Sequence, residues 1–332
     1  MELSNVQSVA LWGFLVAVAF GAVANKTNFC TMGAVSDWVN MDDKNRLRAW
    51  FLAIGVAILG SQGLQALGYI DLSKSIYLAA NIGWLGHLLG GFLFGVGMAI
   101  EVANIDLAAR QVADQSLATL VQAAVGATDA NMVRWTVAAV VGLGFTIYAL
   151  ASVEFLKSFR NLFAGVSIGL FIVAGWYITG KLGFDEFEPV RLESYTFVSP
   201  VAENVNYLMT FTGSTINFGI AAVFGVIAGS FLYAVLSGSF KIETFNSRAD
   251  MVNHMIGGVL MGFGGVIALG CTIGQGVTGM STLALGAVIT LIMIIFGSSL
   301  AMKMEYYLMD EQGFFRALRL ALADMKLLPA VR

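Results

Sequence analysis

The two cysteines are the residues whose chemistry the chain does not need for bulk packing. Cys30 sits in "NKTNFCTMG" and Cys271 in "GCTIGQGVTG". Each stretch follows an apolar helix and interrupts the pattern with small and polar residues. Glycine permits positive φ and close backbone approach, so the second stretch is expected to unwind and expose N–H groups of Gly274, Gln275 and Gly276. Irregular backbone of this kind is tolerated within a bilayer only where it lines a cavity or is buried in protein. A fresh helix starting near Val277 would direct its positive end at that cavity and suit an anion without a buried Lys or Arg. A thiol is a weak S–H donor and a polarisable contact for a soft sulfur or selenium atom, and at an ordinary pKa of about 8.5 it is neutral. Thr272 and Gln275 add polar groups beside Cys271. The competing reading is that each cysteine is a small packing residue.

The elements that must position these residues are membrane helices. The chain has 332 residues, 58% hydrophobic and only 12% charged. Apolar stretches long enough to cross a bilayer core run over 8–24, 49–69, 82–100, 132–151, 162–179, 215–236, 252–270 and 277–302, with a shorter ninth at 116–125. The first is read as a retained helix, because no Lys or Arg precedes it. A net charge of −3 offers no basic field for nucleic acid, and no phosphate-loop motif is present for nucleotide hydrolysis. Two cysteines and two histidines far apart match neither a disulfide framework nor a zinc spacing, and no cofactor is expected.

An internal repeat organises the helices. After His87 and again after His254, glycines fall at the third, fourth, eighth and tenth positions, and the two histidines are 254 − 87 = 167 residues apart. If the 116–125 segment crosses, 14 basic residues share one side against 4 on the other, which accounts for all 18 Lys and Arg. If it does not cross, the split is 8 to 10. The positive-inside rule selects the first arrangement, with the N-terminus outside, the C-terminus in the cytoplasm and the two halves inverted. The expected fold is an all-α integral membrane protein of about nine transmembrane helices in two inverted halves with broken segments. The first half covers 1–180, an outer connecting loop 181–206, the second half 207–302 and an amphipathic cytoplasmic tail 303–332.

"TNFCTMGAVSDWVNM" and "GCTIGQGVTGMSTLALG", with the "GWLGHLLGG" helix, resemble the YeeE/YedE family of bacterial inner-membrane sulfur transporters, and the likeness covers nearly the whole chain. The resemblance implies an hourglass-shaped permease taking up thiosulfate, with Cys30 and Cys271 contacting the anion at the waist. It also implies a TusA-like sulfurtransferase as cytoplasmic partner. One departure stands out: the family's third cysteine lies in a Gly-Cys-Gly setting, and the repeat places its counterpart at Asn104, in "EVANIDLAARQVADQ". An amide hydrogen-bonds oxygens but offers no soft contact. The alternatives are a selenium compound or other small solute as cargo, a membrane-embedded thiol redox protein, and a non-transporting membrane subunit.

Three further groups have expected roles. Asp106, Arg110 and Asp114 form a four-spaced ladder read as a solvated turn, with Glu101 nearer the bilayer core. His87 and His254, with Gly91, Gly95, Gly258 and Gly262, are read as helix-packing residues. Arg316, Arg319 and Lys326 lie on a surface helix in the tail.

Overall fold

The computed structural model describes residues 4–78, 81–82, 84–95, 105–106, 114–125, 129–185, 190–210, 215–242, 244–245, 247–310 and 312–328. Thirteen α-helices fall within them: α1 Asn5–Thr27, α2 Thr31–Met41, α3 Asn45–Ala66, α4 Trp84–Gly95, α5 Leu117–Val125, α6 Ala130–Leu150, α7 Val153–Lys157, α8 Phe159–Tyr177, α9 Val198–Thr210, α10 Phe218–Leu236, α11 Arg248–Ile267, α12 Leu285–Met309 and α13 Phe314–Asp324. Strands β1 (Asn81–Ile82) and β2 (Ile105–Asp106) pair antiparallel. Among the described residues, seven helical segments are long and apolar enough to cross a membrane, which makes this an all-α membrane protein.

Packing shows how the repeat is arranged. Along α1, Val9, Phe20 and Lys26 lie against Gly183, Phe171 and Phe163, so α1 and α8 run antiparallel. On α4, Gly86 and Gly90 face Ile267 and Gly264, and Gly264 faces Phe94, so α4 and α11 are antiparallel too. By contrast α1 packs parallel to α10, with Gly13 on Phe218 and Gly225 on Phe14 and Ala17. Helix α3 packs parallel to α8, with Gly165 on Ala49 and Gly169 on Ala53. A two-fold that exchanges α1 with α8 and α3 with α10 maps one of these parallel pairs onto the other. Adding 167 to Thr31–Met41 gives 198–208, the place of α9.

The axis passes where the broken segments meet. Ser116 and Ala284 form an antiparallel bridge, with Leu117 N–H donating to Leu283 O at 2.8 Å and Leu285 N–H to Gln115 O at 2.9 Å. Residue 116 plus 167 is 283, so the repeat pairs with itself here. Helix α5, nine residues long, reaches only about half of a ~30 Å core at 1.5 Å per residue and is too short to span by itself. The chain starts α6 on the face where α3 ends, since Arg134 bonds Gln62, and ends it where α3 begins, since Arg48 bonds Tyr148 O at 2.5 Å.

Three expectations change. The last long helix begins at Leu285 and not near Val277, because Gly274–Gly279 forms a π-helical turn first. The stretch expected as a connecting loop turns helical at Val198 and also dives inward before it: Tyr195 is fully buried, its hydroxyl donating to Gly13 O at 2.9 Å. Gly257, Gly258 and Gly262 face open space, and the close approaches on α11 fall at Gly264 and Gly265 instead; on α4 Gly91 does pack closely, against Thr290, while the surroundings of Gly95 lie outside the described residues. Ahead of α5, Asp114 Oδ1 accepts from Ser116 N–H and Thr119 Oγ1 at 2.8 Å each, while Ser116 Oγ accepts from Thr119 N–H at 3.1 Å. Glu101 and Arg110 lie outside the described residues.

The repeat histidines diverge: His87 is buried with Nδ1 2.9 Å from Thr290 Oγ1, and His254 is exposed beside Asp250 at 3.1 Å. The tail helix α13 docks back on α12 through Tyr307, whose hydroxyl donates to Asp324 at 2.6 Å.

The glycine contacts give a stability test. A Cβ on Gly225 would stand 2.6 Å from Ala17 Cβ and 2.7 Å from Phe14 O, whereas one on Gly258 meets nothing within 4 Å. Gly225→Ala should lower stability by about 1–3 kcal/mol through overpacking, and Gly258→Ala should raise it by roughly 0.5–1 kcal/mol through helix propensity. Thermal unfolding of the purified protein in detergent reads both; equal shifts would contradict the packing.

Candidate functional site at the two cysteines

Both cysteines follow the same helix-stop device. Helix α1 ends with Asn28 at φ 52°, Asn28 N–H donating to Asn25 O at 3.2 Å and Phe29 N–H to Ala24 O at 3.0 Å. Helix α11 ends with Leu269 at φ 58°, Leu269 N–H donating to Val266 O at 3.2 Å and Gly270 N–H to Gly265 O at 2.8 Å. This is the Schellman arrangement, which satisfies the last carbonyls of a helix through a left-handed residue. In each case the cysteine stands two residues beyond that residue. Asparagine adopts the left-handed region readily; leucine does so at a cost of about 1–2 kcal/mol, which the surrounding segment must offset.

Cys271 is half-buried and unpaired. Its Sγ accepts from Gly274 N–H at 3.4 Å, and backbone N–H groups of Ile273 and Phe197 also face it. Its carbonyl accepts from Gln275 N–H at 2.7 Å. The Gln275 side chain folds back over its own segment, Nε2 donating to Ala268 O at 2.5 Å, while its buried Oε1 has no partner among the described residues. Thr272 is half-buried beside the thiol. Gly274 admits Thr196 at close range, and Gly276 leaves room for the Trp50 ring, whose Cζ3 lies 3.8 Å from where a Cβ would stand.

The rest of the segment is anchored from neighbouring elements. Thr278 Oγ1 donates to Tyr195 O at 2.6 Å, Trp176 Nε1 to Ser281 Oγ at 2.9 Å, and Gln62 Nε2 to Ser281 O at 3.0 Å. The broken stretch is therefore held on three sides.

Cys30 is exposed and begins α2 without capping it through its thiol. It shares a small cavity with Asn28, Arg46, Trp50 and Asn161. Phe29 stacks on Trp50 with centroids 4.5 Å apart and planes 20° from parallel. Trp50 is 4% exposed, and its indole N–H has no partner among the described residues. Cys30 thus lies where α3 and α8 begin, while the segment that follows Cys271 reaches the far ends of the same helices, Ser281 meeting Gln62 and Trp176. Asn104 lies outside the described residues.

Several neighbours of Cys271 carry no sequence signal of their own. Tyr77 is buried, its hydroxyl beside that of Thr196 without the geometry of a hydrogen bond. Thr196 and Phe197 were nonetheless reachable, because adding 167 to Cys30 gives 197: this segment is the repeat mate of Phe29–Cys30. Tyr77 and Trp50 look like ordinary core aromatics in the sequence.

Glu193, on the loop leading to Thr196, is a half-buried carboxyl pushed up to about 7 by desolvation, with Glu203 adding to the rise and Arg191 opposing it. A carboxyl whose folded pKa exceeds its unfolded one binds more protons when folded. Its contribution is fully present below about pH 4.5 and is lost as pH rises to about 7. Glu193→Gln should therefore raise stability above pH 7 by about 1–2 kcal/mol after allowance for partial exposure, and change it little at pH 4. Parallel pH–stability curves for the two proteins would contradict this assignment.

The arrangement, a neutral thiol amid backbone N–H donors at a helix break, suits contact with a small anion without a fixed counter-charge. Comparison with known proteins bears on it directly. The chain is 24% identical to a thiosulfate transporter, TsuA, of Escherichia coli (strain K12), over 87% of this chain and 93% of that protein. It is 23% identical to the thiosulfate transporter TsuA of Spirochaeta thermophila (strain ATCC 700085 / DSM 6578 / Z-1203), over 87% of this chain and 97% of that one. The family model described as sulphur transport matches residues 26–134 and 115–300, a range that takes in both cysteines and nearly all of both halves. This chain belongs to the sulphur transport family.

Proposed function

We propose that the protein is a permease of the bacterial inner membrane that takes up thiosulfate and passes it unmodified to the cytoplasm. The observation that carries this reading is the Cys271 thiol, held by the Gly274 N–H at a helix break between two inverted halves. The anion's terminal sulfur would meet the Cys271 thiol and its oxygens the Gly274–Gly276 segment with Thr272 beside it, the Gly274 and Gln275 N–H groups exchanging their present Cys271 partners for the anion. Cys30 would receive it where α3 and α8 begin. Asn104, the repeat mate of Cys271, would contact the oxygens by its amide. Names of relatives support thiosulfate as cargo.

Orientation follows from charge. Lys26, Lys44, Arg46, Arg48, Lys157, Arg160, Lys241 and Arg248 gather with the basic tail on one face, and Lys74, Arg134, Lys181 and Arg191 on the other. The positive-inside rule makes the first face cytoplasmic, with the C-terminus. Cys30 is then the inner thiol, and the tail is placed to meet a TusA-like sulfurtransferase that accepts the sulfur.

Purified protein in liposomes, given labelled thiosulfate outside, should accumulate it. Cys271→Ser, which keeps a donor but removes the soft contact, should lower the initial rate by about tenfold or more, a loss on the order of 1.4 kcal/mol in the barrier. Cys30→Ser should lower it by a similar factor. Equal rates in all three proteins would remove thiol contact from the mechanism, and no uptake by the unaltered protein would remove the permease.

A further inference from the structure

A second polar site lies away from both cysteines. Between the end of α3 and the start of α6 is a cavity of about 300 Å3 lined by Gln62, Gln65, Asn131, Arg134 and Trp135. It opens beside Asn131 and Trp135, both exposed, while Gln62 is buried.

The half-buried Arg134 guanidinium is held by amides alone. Its Nε donates to Gln62 Oε1 at 2.9 Å, and an Nη donates to Gln65 Oε1. The Gln62 amide cannot turn round, because its Nε2 donates to Ser281 O at 3.0 Å. A guanidinium carries five N–H groups; these two bonds leave the rest of the fork for the cavity.

No carboxylate among the described residues forms an ion pair with it. The two acids near enough to act on it electrostatically are Asp114 and Asp71. Both are committed to local turns: Asp114 Oδ1 takes the Ser116 and Thr119 donors, and Asp71 Oδ1 takes those of Ser73. A half-buried cation fixed by neutral carbonyls, with free N–H groups facing a polar cavity, matches an oxyanion in both charge and geometry.

We propose that this cavity binds a small tetrahedral oxyanion of the sulfate and thiosulfate class, and that it is where the permeating anion first rests on this face. The route from this site onward rests on the permease reading, but binding does not. Gln62 joins the site to the Cys271 segment, since the amide that orients Arg134 also holds the Ser281 carbonyl.

Calorimetric titration of the purified full chain with sodium sulfate and with sodium thiosulfate, at constant ionic strength, should show binding of both. Arg134→Gln should weaken it at least about tenfold, as expected for loss of a charge-assisted contact. Asn131→Asp leaves the buried amides alone and places a negative charge at the mouth; it should weaken binding too, and it carries the test if Arg134→Gln does not fold. Unchanged affinity in the folded variants overturns the site. Binding should be the same in nanodiscs of phosphatidylcholine and of phosphatidylglycerol. No free-anion binding, with a preference for phosphatidylglycerol at this cavity, would make it a headgroup site and overturn the proposal. In liposomes, Arg134→Gln should raise the half-saturating thiosulfate concentration about tenfold with the saturated rate nearly kept, and an unchanged half-saturation sinks the site. Sulfate binding lost in Arg134→Gln, in a protein that carries no thiosulfate, would uphold the site and sink the permease reading alone.

Discussion

In hydrocarbon, an unpaired backbone N–H or carbonyl costs several kcal/mol, so a chain that leaves the helix at mid-depth must find each of those groups a partner within the protein. The architecture of this molecule answers that constraint. Two helices end in Schellman turns that use up their last carbonyls. The segment after α11 gives its Ser281 carbonyl to Gln62, takes the Ala268 carbonyl through Gln275, and uses Thr278 to satisfy the Tyr195 carbonyl of the loop beside it. The Ser116–Ala284 bridge closes the remaining gap between the halves. Bonds of this number fix where a thiol can be placed, and they leave few donors pointing at anything but protein. Even Gly274 N–H is directed at protein, on the Cys271 sulfur.

The inverted repeat supplies symmetry of backbone and not of chemistry. The parallel pairs α1 with α10 and α3 with α8 are copies of one another, yet the repeat mate of Cys30 is Phe197 and that of Cys271 is Asn104. The two cysteines occupy different positions of the repeat and share only the left-handed stop before them. His87 and His254 show the same divergence, one buried against Thr290 and the other exposed. The two-fold therefore repeats the backbone, while single substitutions make the side chains of the two copies differ. That is why Phe197 N–H can face Cys271: the second copy of the Cys30-bearing turn has become part of the other thiol's surroundings.

Much of the frame was legible in the amino-acid order. Apolar length gave seven of the spans, α4 and α5 being too short among the described residues; the glycine pattern after His87 and His254 gave the repeat, and the Lys and Arg distribution gave inversion, which the antiparallel α1–α8 and α4–α11 contacts bear out. The short 116–125 segment is no span by itself, because nine helical residues cover only half a crossing. What pattern did not reveal was three-dimensional partnership. The helix expected from Val277 starts at Leu285, since Gly274, Gly276 and Gly279 widen the first turn into a π-helix that periodicity cannot distinguish from an α-helix. The glycines on α11 all look alike in sequence, but only Gly264 and Gly265 meet a neighbour, and Gly258 faces outward. Trp50 and Tyr77 were invisible because a buried aromatic with an unpaired donor has the same sequence signature as a satisfied one.

Charge placement follows a consistent logic across the membrane. Moving an ion into a low-dielectric interior carries a desolvation penalty of several kcal/mol even after relaxation, and a fixed cation at mid-depth would repay it so fully that the anion would stay. Conduction needs binding strong enough to admit the solute and weak enough to release it. Here the fixed cations stand toward the ends of the helices: Arg134 near the end of α3, and Arg46 near its start, where Asp37 at 3.2 Å already tempers it. Cys30 shares its small cavity with Arg46, whereas around Cys271 the available groups are neutral: its thiol, backbone N–H groups and, toward Trp50, an indole N–H. A soft anion passing the permease we propose would exchange water for dipoles of moderate strength, with full charges met only where water can still compete for it. A lysine at position 271 would invert that order, giving the tightest binding at the one depth from which the solute must escape.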